Sequence, residues 1–283
     1  MQAATAIRTT RLPAGEQVPV LGQGTWHLAE QRHPRQEEIN SLRLGLDLGM
    51  SLIDTAEMYA EGEAEELVGE AIAGRRESVF LVTKVLPYHA TQQGTIAACE
   101  GSLKRLRTDW IDLYLLHWRE DIPLDETLEG FAALTKAQKI RYWGVSNFDV
   151  ADMVELVDLP GGPDVATDQV LYNLTRRGIE FDLLPWCWQR KIPIMAYSPI
   201  EQGRLIHHPI VRHIAEQHEA TSAQIALAWV LRVDGVIAIP QAGTPEHVRK
   251  DRAAADIQLT QRELAMLDRA FPPPTGKQPL AMH

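Results

Sequence analysis

The chain has 283 residues, of which 45% are hydrophobic and 23% charged, and this balance is ordinary for a globular protein that buries a sizeable core. Its formal net charge is −10, from 28 Lys and Arg against 38 Asp and Glu. The acidic balance argues against a broad surface for nucleic acid or for an anionic membrane, because both need clustered positive charge.

The cysteines and the apolar segments indicate the compartment. The two cysteines, Cys99 and Cys187, are too few for a disulfide framework. Residues 1–10 lack the apolar core of a signal peptide, and no run approaches the roughly 18 apolar residues of a membrane span. We therefore expect a soluble, cytoplasmic protein with no membrane or nucleic-acid partner, and we expect it to be a monomer.

Hydrophobic periodicity predicts a short β-hairpin followed by a regular alternation of strands and helices. The hairpin covers residues 5–21 and turns at Pro13-Ala14-Gly15. The predicted strands that follow cover residues 20–24, 52–54, 79–84, 110–116, 141–145, 166–171, 192–197 and 236–239. The predicted helices cover residues 35–48, 63–73, 95–106, 124–138, 150–157, 180–189, 210–219, 222–233, 245–255 and 261–270.

This alternation predicts an α/β fold, a (β/α)8 TIM barrel formed by a single domain of residues 1–283. A helix after every strand requires a parallel sheet, and eight such units is the number that closes a barrel. The alternative, a doubly wound sheet, would want a Gly-rich turn after its first strand. Residues 22–25 hold only a fragment of that motif and lead into Trp26, not into a helix. The hairpin and the extra C-terminal helices are additions to the barrel.

Polar residues close three consecutive predicted strands. Asp54, Lys84 and His117 each follow an apolar run, and Tyr59 lies in the loop after Asp54. In a TIM barrel the C-terminal strand ends carry the active site. Taken singly, such an Asp could cap a turn, the Lys could extend into solvent and the His could be structural. Taken together, they favour a functional cluster.

These four side chains suit proton transfer to a carbonyl oxygen. A free phenol has a pKa of about 10, and the Lys84 ammonium is expected to lower the pKa of Tyr59. Asp54 would hold the lysine in place and keep it charged, and His117 would orient the carbonyl. Such a general acid needs a separate hydride donor, so we expect a bound cofactor and no metal site.

Several motifs resemble the aldo-keto reductase superfamily, in the family's order across nearly the whole chain. They are DTAEMY around Asp54, the strand-end Lys84, LYLLHW, GVSNF and AYSP. Together with GQGTW, QVLYN and LLPWC they are similar to bacterial reductases of methylglyoxal and related small aldehydes. The resemblance implies that Tyr59 is the general acid, tuned by Asp54 and Lys84. It also implies that His117 orients the substrate and that C4 of a nicotinamide gives its hydride to the carbonyl carbon.

The resemblance further implies how NADPH is held. Ser146, Asn147 and Gln169 would bond its carboxamide, and Tyr197 would stack on the nicotinamide ring; Asn147 or Asp149 could equally cap the following helix. Independently, phosphates in TIM barrels lie at the loops after strands seven and eight. The expected cofactor contacts are Gly24, Thr25, Ser146, Asn147, Gln169, Tyr197, Ser198, Pro199, Ile200, Gln202, Gly203, Ile239, Gln241, Ala242, His247 and Asp251.

The loop after the last strand departs from the family pattern. Relatives read Ile-Pro-Lys-Ser followed by an Arg, a Glu and an Asn, and those places hold Gln241, Ala242, His247, Lys250 and Asp251. Because a 2′-phosphate favours Lys or Arg charge, we expect NADPH binding to persist but weaken, with NADH use possible. The nearby basic residues either reach a phosphate or form a solvated helix face; they are Arg204, Arg249, Lys250 and Arg252.

Aromatic residues next to strand ends are candidates for the substrate pocket. Trp26, Tyr88 and Trp118 would line its mouth by analogy with the family, or else pack at the barrel rim. The tail, residues 271–283, is expected to join the rim. The main hypothesis is NAD(P)H-dependent reduction of a small-molecule aldehyde or ketone. The alternatives are a lyase that forms a Schiff base through Lys84 and a non-catalytic nicotinamide-binding sensor.

Overall fold

A computed structural model describes residues 6–283, except for the side chain of Ile206. Within that range the chain begins with an antiparallel hairpin of β1 (Thr9–Arg11) and β2 (Gln17–Pro19). Its turn is closed by a hydrogen bond from Leu12 N to Glu16 O. The predicted hairpin is therefore confirmed apart from residue 5, which lies outside the described residues. Residues 1–5, the first half of the segment that lacks the apolar core of a signal peptide, also lie outside the described residues.

The next strands form a parallel barrel. They are β3 (Gln23–Gly24), β4 (Leu52–Asp54), β5 (Phe80–Val85), β6 (Ile111–Leu116), β7 (Ile140–Ser146), β8 (Asp168–Leu171), β9 (Ile194–Tyr197) and β10 (Val236–Ala238). Each strand pairs in parallel with the next, from β3 to β10. Parallel bridges from Leu21 to Ala238 and from Gly24 to Gln241 join the first strand to the last. The predicted (β/α)8 barrel is confirmed.

The helices follow the strands in the predicted order. They are α1 (Arg35–Asp47), α2 (Glu63–Ile72), α3 (Gln92–Leu106), α4 (Leu124–Lys136), α5 (Val150–Asp158), α6 (Leu183–Gln189), α7 (Pro209–Gln217), α8 (Ser222–Leu231), α9 (Pro245–Ala254) and α10 (Gln261–Ala270). Helix α3 begins at Gln92, not at residue 95, because the Thr91 side chain accepts a hydrogen bond from Gly94 N and caps it. Within residues 6–283, no helix is both long and apolar enough to cross a membrane.

Alternation along the strands decides which side chains fill the barrel, since successive residues point to opposite faces. Leu52, Val82 and Leu115 belong to a buried apolar cluster inside it. Leu12 and Val18 of the hairpin belong to the same cluster, so the hairpin covers the N-terminal end of the barrel. The opposite end, where the strands finish, is left for polar side chains.

Candidate active site

The four predicted catalytic residues come together at the C-terminal ends of β4, β5 and β6. Asp54, Lys84 and His117 each lie two residues beyond an apolar residue of the interior cluster, so each continues an inward-facing row. Tyr59 begins the short 3₁₀ helix Tyr59–Gly62 in the loop after β4. The strand periodicity that fills the barrel therefore also aims these side chains at one point.

Lys84 is the centre of this cluster. Its Nζ donates to Asp54 Oδ2 at 2.8 Å, to Thr55 O at 2.8 Å and to the Tyr59 hydroxyl at 3.2 Å. The Lys84 side chain is 0% exposed, and all three donor hydrogens of the ammonium have an acceptor. Such an arrangement fixes the ammonium in one position beneath the phenol.

The pKa of Lys84 agrees with the sequence-based expectation, and the pKa of Tyr59 does not. Burial disfavours the Lys84 ammonium, but Asp54 and Tyr59 together outweigh burial and raise the pKa of Lys84 above its ordinary value. Burial also raises the pKa of Tyr59, and the opposing pull of Lys84 is smaller. The expectation that the pKa of Tyr59 falls is therefore wrong, because desolvation of the phenolate outweighs the lysine.

His117 faces Tyr59 as a neutral imidazole. The two ring centroids are 5.8 Å apart and the rings are close to perpendicular, at 77°. Burial, followed by the charge of Lys84, lowers the pKa of His117 well below its ordinary value. His117 Nδ1 is buried and has no hydrogen-bond partner among residues 6–283. Because the ring lines the cavity described below, Nε2 is the nitrogen available there.

Amide and hydroxyl groups from β7, β8 and β9 form a connected network beside this cluster. Gln169 Nε2 donates to Asp54 Oδ1 at 2.8 Å, and Ser146 Oγ donates to the Gln169 carbonyl oxygen at 2.8 Å. The Tyr197 hydroxyl donates to Asn147 Oδ1 at 2.8 Å. Asp149, not Asn147, caps α5 through a capping box. Ser146 and Asn147 are thereby left to face the cavity, and the donors and acceptors of this network suit a carboxamide.

The loop after β9 has an unusual backbone. Ser198, Gln202 and Gly203 take φ values of +46°, +52° and +82°, and left-handed conformations at non-glycine residues concentrate at ligand-binding sites. Asn173 holds the loop in this shape, because its Nδ2 donates to Ser198 O at 2.9 Å and to Glu201 Oε2 at 2.6 Å. Together with the amide network, this loop fits an elongated dinucleotide.

A cavity of about 860 Å³ connects these groups. Trp26 and Trp118 are aromatic residues of its lining, and the His117 and Trp118 ring centroids are 4.9 Å apart. The predicted site residues in its lining are Gly24, Trp26, Asp54, Tyr59, His117, Trp118, Ser146, Asn147, Gln169, Tyr197, Ser198, Pro199, Ile200, Gln202, Gly203, Ile239, Gln241 and His247. The lining thus combines the expected catalytic, substrate and cofactor residues.

Five other predicted site residues lie away from this lining: Lys84, which is buried behind Tyr59 and Asp54, and the four described next. Tyr88 is 59% exposed in the 3₁₀ helix Pro87–His89, so it packs outside the cavity. Thr25 is fully buried, and Ala242 packs against the core. Asp251 is buried in α9, where desolvation raises its pKa to about 8. Of these, Tyr88 is the one furthest from its expected role, because the loop after β5 turns it to solvent.

The cavity also contains residues that the sequence did not single out. His283 stacks on Trp26 with centroids 5.6 Å apart, lies 5.9 Å from Tyr197, and bonds Ser198 Oγ through Nε2 at 3.0 Å. The tail, residues 271–283, was expected to join the rim, but the sequence did not identify His283 as the residue that does so. The remaining additions to the lining are His27, Arg32, Met58, Pro240 and Met282.

Comparison with known proteins agrees with this geometry. The model of the aldo/keto reductase family matches residues 20–271. The chain therefore belongs to the aldo/keto reductase family, a family of oxidoreductases, and the resemblance inferred from its motifs is confirmed.

Individual relatives are similar over almost their whole length. Methylglyoxal reductase YeaE of Escherichia coli strain K12 is 53% identical over 270 residues, which cover 94% of this chain and 95% of that protein. An aldo/keto reductase from Klebsiella pneumoniae in complex with NADP and acetate has a TM-score of 0.95 at 50% identity, covering 98% of this chain and 100% of that one. A Klebsiella pneumoniae aldo-keto reductase in complex with NADPH has a TM-score of 0.96 at 50% identity, covering 99% and 100%.

Proposed function

We propose that this protein is an NADPH-dependent reductase that converts small or aromatic aldehydes and ketones, of the methylglyoxal type, to alcohols. The observation that carries the proposal is the buried series Asp54–Lys84–Tyr59, which ends with a phenol at the cavity. The relatives add support, since one is a methylglyoxal reductase and two others are bound to NADP or NADPH.

Tyr59 is suited to protonate an alkoxide as it forms. Burial keeps the phenol protonated at neutral pH because it raises the pKa of Tyr59. Once the proton has left, Lys84 Nζ at 3.2 Å stabilises the phenolate. A bound nicotinamide supplies the hydride. General acid catalysis of this kind contributes roughly 10²–10⁴ to the rate.

His117 is suited to orient the carbonyl oxygen. A neutral imidazole can donate one hydrogen bond, and Nε2 is the nitrogen available to the cavity. Because the pKa of His117 is well below its ordinary value, the ring does not compete with Tyr59 as the proton donor. Trp26 and Trp118 would then flank small or planar carbonyl compounds.

Residues outside the catalytic cluster would hold NADPH. Ser146, Asn147 and Gln169 would bond the carboxamide, Tyr197 would support the nicotinamide ring, and residues 198–203 would wrap the pyrophosphate. Because Gln241 and His247 stand where the family pattern implied by the resemblance has basic residues, we expect NADPH binding to be weakened and NADH to be usable. Fluorescence titration with both cofactors tests this, and a large, salt-insensitive preference for NADPH would contradict it.

The function is tested by a panel of carbonyl compounds with NADPH and with NADH. We expect cofactor oxidation to be fastest with methylglyoxal and other small or planar aldehydes and slower with bulky ketones. The control is the same protein and cofactor without a carbonyl compound. Binding of NADPH without its oxidation by any member of the panel would contradict the proposal and favour a non-catalytic sensor.

A Schiff-base lyase is the weaker alternative. A lysine that attacks carbonyl carbon must be neutral and reachable, whereas Lys84 is fully buried and Asp54 raises its pKa. Trapping a covalent adduct with borohydride, in the presence of a carbonyl substrate and in the absence of nicotinamide, would support the lyase against the reductase.

A further inference from the structure

The phosphate groups of a dinucleotide need positive charge, and the basic residues of α9 are committed elsewhere. Lys250 Nζ pairs with Glu246 at 2.5 Å, and Arg249 Nη1 donates to Pro245 O at 3.2 Å. Arg252 pairs with Asp256 at 2.9 Å. The contacts of Arg249 and Lys250 run along the helix itself and favour the solvated-face hypothesis over phosphate binding. Arg252 is buried, so it belongs neither to a solvated face nor to the cavity lining.

The closure of the barrel brings a different segment to the loop after β10. Gly24 N donates to Pro240 O at 2.8 Å, and Gly24 bridges to Gln241. Further along, the His33 ring lies so close to Gly243 that a Cβ there would meet its Cδ2 at 2.4 Å. Residues 26–33, which follow the first barrel strand, therefore run beside the loop that follows the last one. We call residues 26–33 the first-strand loop.

Arg32 of the first-strand loop lines the same cavity as Gln241 and His247. Among the described residues of that lining, Arg32 is the only one with a permanent positive charge. The only carboxylate in the same described set is Asp54, and Lys84 already neutralises it at 2.8 Å. Arg32 is in turn paired with Glu30 at 3.0 Å, a carboxylate that is not part of the lining, so the charged group that an anion meets at the lining is the Arg32 guanidinium.

The guanidinium of Arg32 is held in place but retains free donor capacity. Arg32 Nε donates to Glu30 Oε2 at 3.2 Å, and Nη2 lies 3.0 Å from His27 Nδ1. Nη2 also lies 3.0 Å from Glu30 Oε2, so Nε and Nη2 hold the guanidinium to that carboxylate. Among residues 6–283 no hydrogen bond involves Nη1, and its two N–H groups can donate to an oxyanion.

The backbone of the first-strand loop supports a ligand-holding role. His27, Ala29 and Gln31 take φ values of +70°, +62° and +62°. Left-handed conformations at non-glycine residues cost energy and concentrate at ligand clamps. Because every second residue of the loop adopts one, the segment is bent into a fixed shape that carries Arg32 over the cavity.

We propose that Arg32 binds a phosphate group of the dinucleotide cofactor and supplies the positive charge that is missing at positions 241 and 247. This inference rests on the proposed function, because it assumes that a nicotinamide dinucleotide occupies the cavity. Arg32, which follows the first barrel strand, would then help to determine the affinity of the site for a cofactor that also contacts the loop after the last strand.

The test is a titration of the full-length protein with NADPH and NADH, followed by quenching of tryptophan fluorescence at low and high salt. We expect Arg32→Ala to weaken NADPH binding about tenfold and to reduce its salt dependence, as loss of a charge-assisted contact requires. Arg32→Lys should lose less, because it keeps the charge but not the planar fork. The matched control is Arg35→Ala, whose side chain pairs with Glu70 and which we expect to bind like the unchanged protein.

The two cofactors distinguish the two sources of phosphate. Loss confined to NADPH identifies the 2′-phosphate, and equal loss with NADH identifies the pyrophosphate; both outcomes support the proposal. Equal affinities of Arg32→Ala, Arg35→Ala and the unchanged protein for both cofactors would overturn it. Arg32-dependent NADPH binding by a protein that reduces no carbonyl compound would overturn the reductase function alone. Failure to bind either cofactor would overturn both.

Discussion

Lys84 is fully buried and satisfied by three acceptors. Arg32, by contrast, lines the cavity, has a side chain that is 55% exposed, and shares one carboxylate with His27. We call Asp54, Tyr59, Lys84 and His117 the proton-transfer cluster. We call the first-strand loop and residues 198–203 and 239–247 the phosphate loops. The first region is set by the ends of neighbouring parallel strands. The second is assembled from loops that follow β3, β9 and β10.

This difference separates what each region tolerates. In the proton-transfer cluster, a change at Asp54 or Lys84 removes the partner of a buried charge, which is costly. In the phosphate loops water can replace a lost contact, so changes have smaller effects. We therefore expect that a basic residue on one phosphate loop can replace a basic residue lost from another, whereas the residues of the proton-transfer cluster have fixed positions. The following experiments compare the effects of substitutions in and around the two regions.

The largest effect is expected from Tyr59→Phe. The change removes the transferable proton and keeps the ring, so turnover with methylglyoxal should fall roughly 10²–10⁴-fold. NADPH affinity should stay close to that of the unchanged protein. The control is Tyr142→Phe, a tyrosine whose hydroxyl bonds Glu16 at the other end of the barrel. A fall in turnover of less than about tenfold would show that Tyr59 is not the general acid.

Lys84→Met tests whether the cluster also stabilises the fold. Without the ammonium, Asp54 is left buried and unpaired, which should lower the free energy of unfolding by about 3–5 kcal/mol. Urea unfolding curves measure the loss. The combined change Lys84→Met with Asp54→Asn should recover part of the stability, because no buried charge remains. Lys250→Met, at a partly exposed pair, should shift it by less than about 1 kcal/mol. Equal losses at Lys84 and Lys250, which lies in α9 outside both regions, would contradict the expected difference between a buried and a partly exposed ion pair.

Asp168, a buried carboxyl outside both regions, tests how stability depends on pH when a buried carboxyl lacks a cation. Its Oδ2 has no hydrogen-bond partner among residues 6–283. Burial raises the pKa of Asp168 well above its ordinary value, so above about pH 4 the folded state keeps a proton that the unfolded state loses. The stability linked to that proton is present below about pH 4 and is lost as pH rises towards the folded-state pKa. Each pH unit in that window costs about 1.4 kcal/mol.

Asp168→Asn should remove this dependence. Unfolding curves between pH 5 and pH 8 should show the variant gaining stability relative to the unchanged protein as pH rises. If the stabilities of the variant and the unchanged protein vary with pH in the same way, the Asp168 carboxyl has an ordinary pKa. Asp168 would then be buried in its charged form without a cation beside it.

Gln241→Lys probes the phosphate loops. A lysine restores positive charge to the cavity lining, and we expect NADPH affinity to rise about fivefold with little change for NADH, since a partly exposed pair contributes up to about 1 kcal/mol. The gain should shrink at high salt. An increase that is equal for both cofactors would place the new charge on the pyrophosphate. No increase would mean that this position does not face a phosphate.

The two regions were also unequally predictable. Asp54, Lys84 and His117 end apolar strands, and strand periodicity together with the barrel rule was enough to bring them together. The direction of the Tyr59 pKa shift was not predictable, because it depends on how completely the phenol is buried. Tyr88 looked equivalent to Trp26 and Trp118 in sequence, yet its loop turns it to solvent.

The phosphate loops depend on contacts that no local pattern contains. Arg32 lines the same cavity as Gln241 because Gly24 pairs with Gln241 across the closed barrel, over a separation of most of the chain. His283 reaches Trp26 and Ser198 only because the tail is held to the barrel, in part by the contact of Lys277 with Asp149 at 3.4 Å. The strands and helices were predictable to within a few residues, whereas these tertiary neighbours were not.

The smallest effect is expected from His283→Ala. Removing the imidazole opens the space between Trp26 and Tyr197, so kcat/KM for a bulky aromatic aldehyde should rise about threefold relative to methylglyoxal, the scale of one lost aromatic contact. His283→Phe keeps a ring there and should preserve the ratio. His213→Ala on α7 serves as the control. An unchanged ratio in His283→Ala would show that the tail does not restrict the substrate.

The separation of the two regions is tested most directly by combining Tyr59→Phe with Gln241→Lys and measuring turnover and NADPH affinity in all four proteins. We expect Gln241→Lys to raise NADPH affinity by the same factor with or without the Tyr59 hydroxyl, and Tyr59→Phe to lower turnover by the same factor in both backgrounds, within about 0.5 kcal/mol. Loss of the affinity gain in the Tyr59→Phe background would contradict this, because it would mean that proton transfer and phosphate binding are coupled.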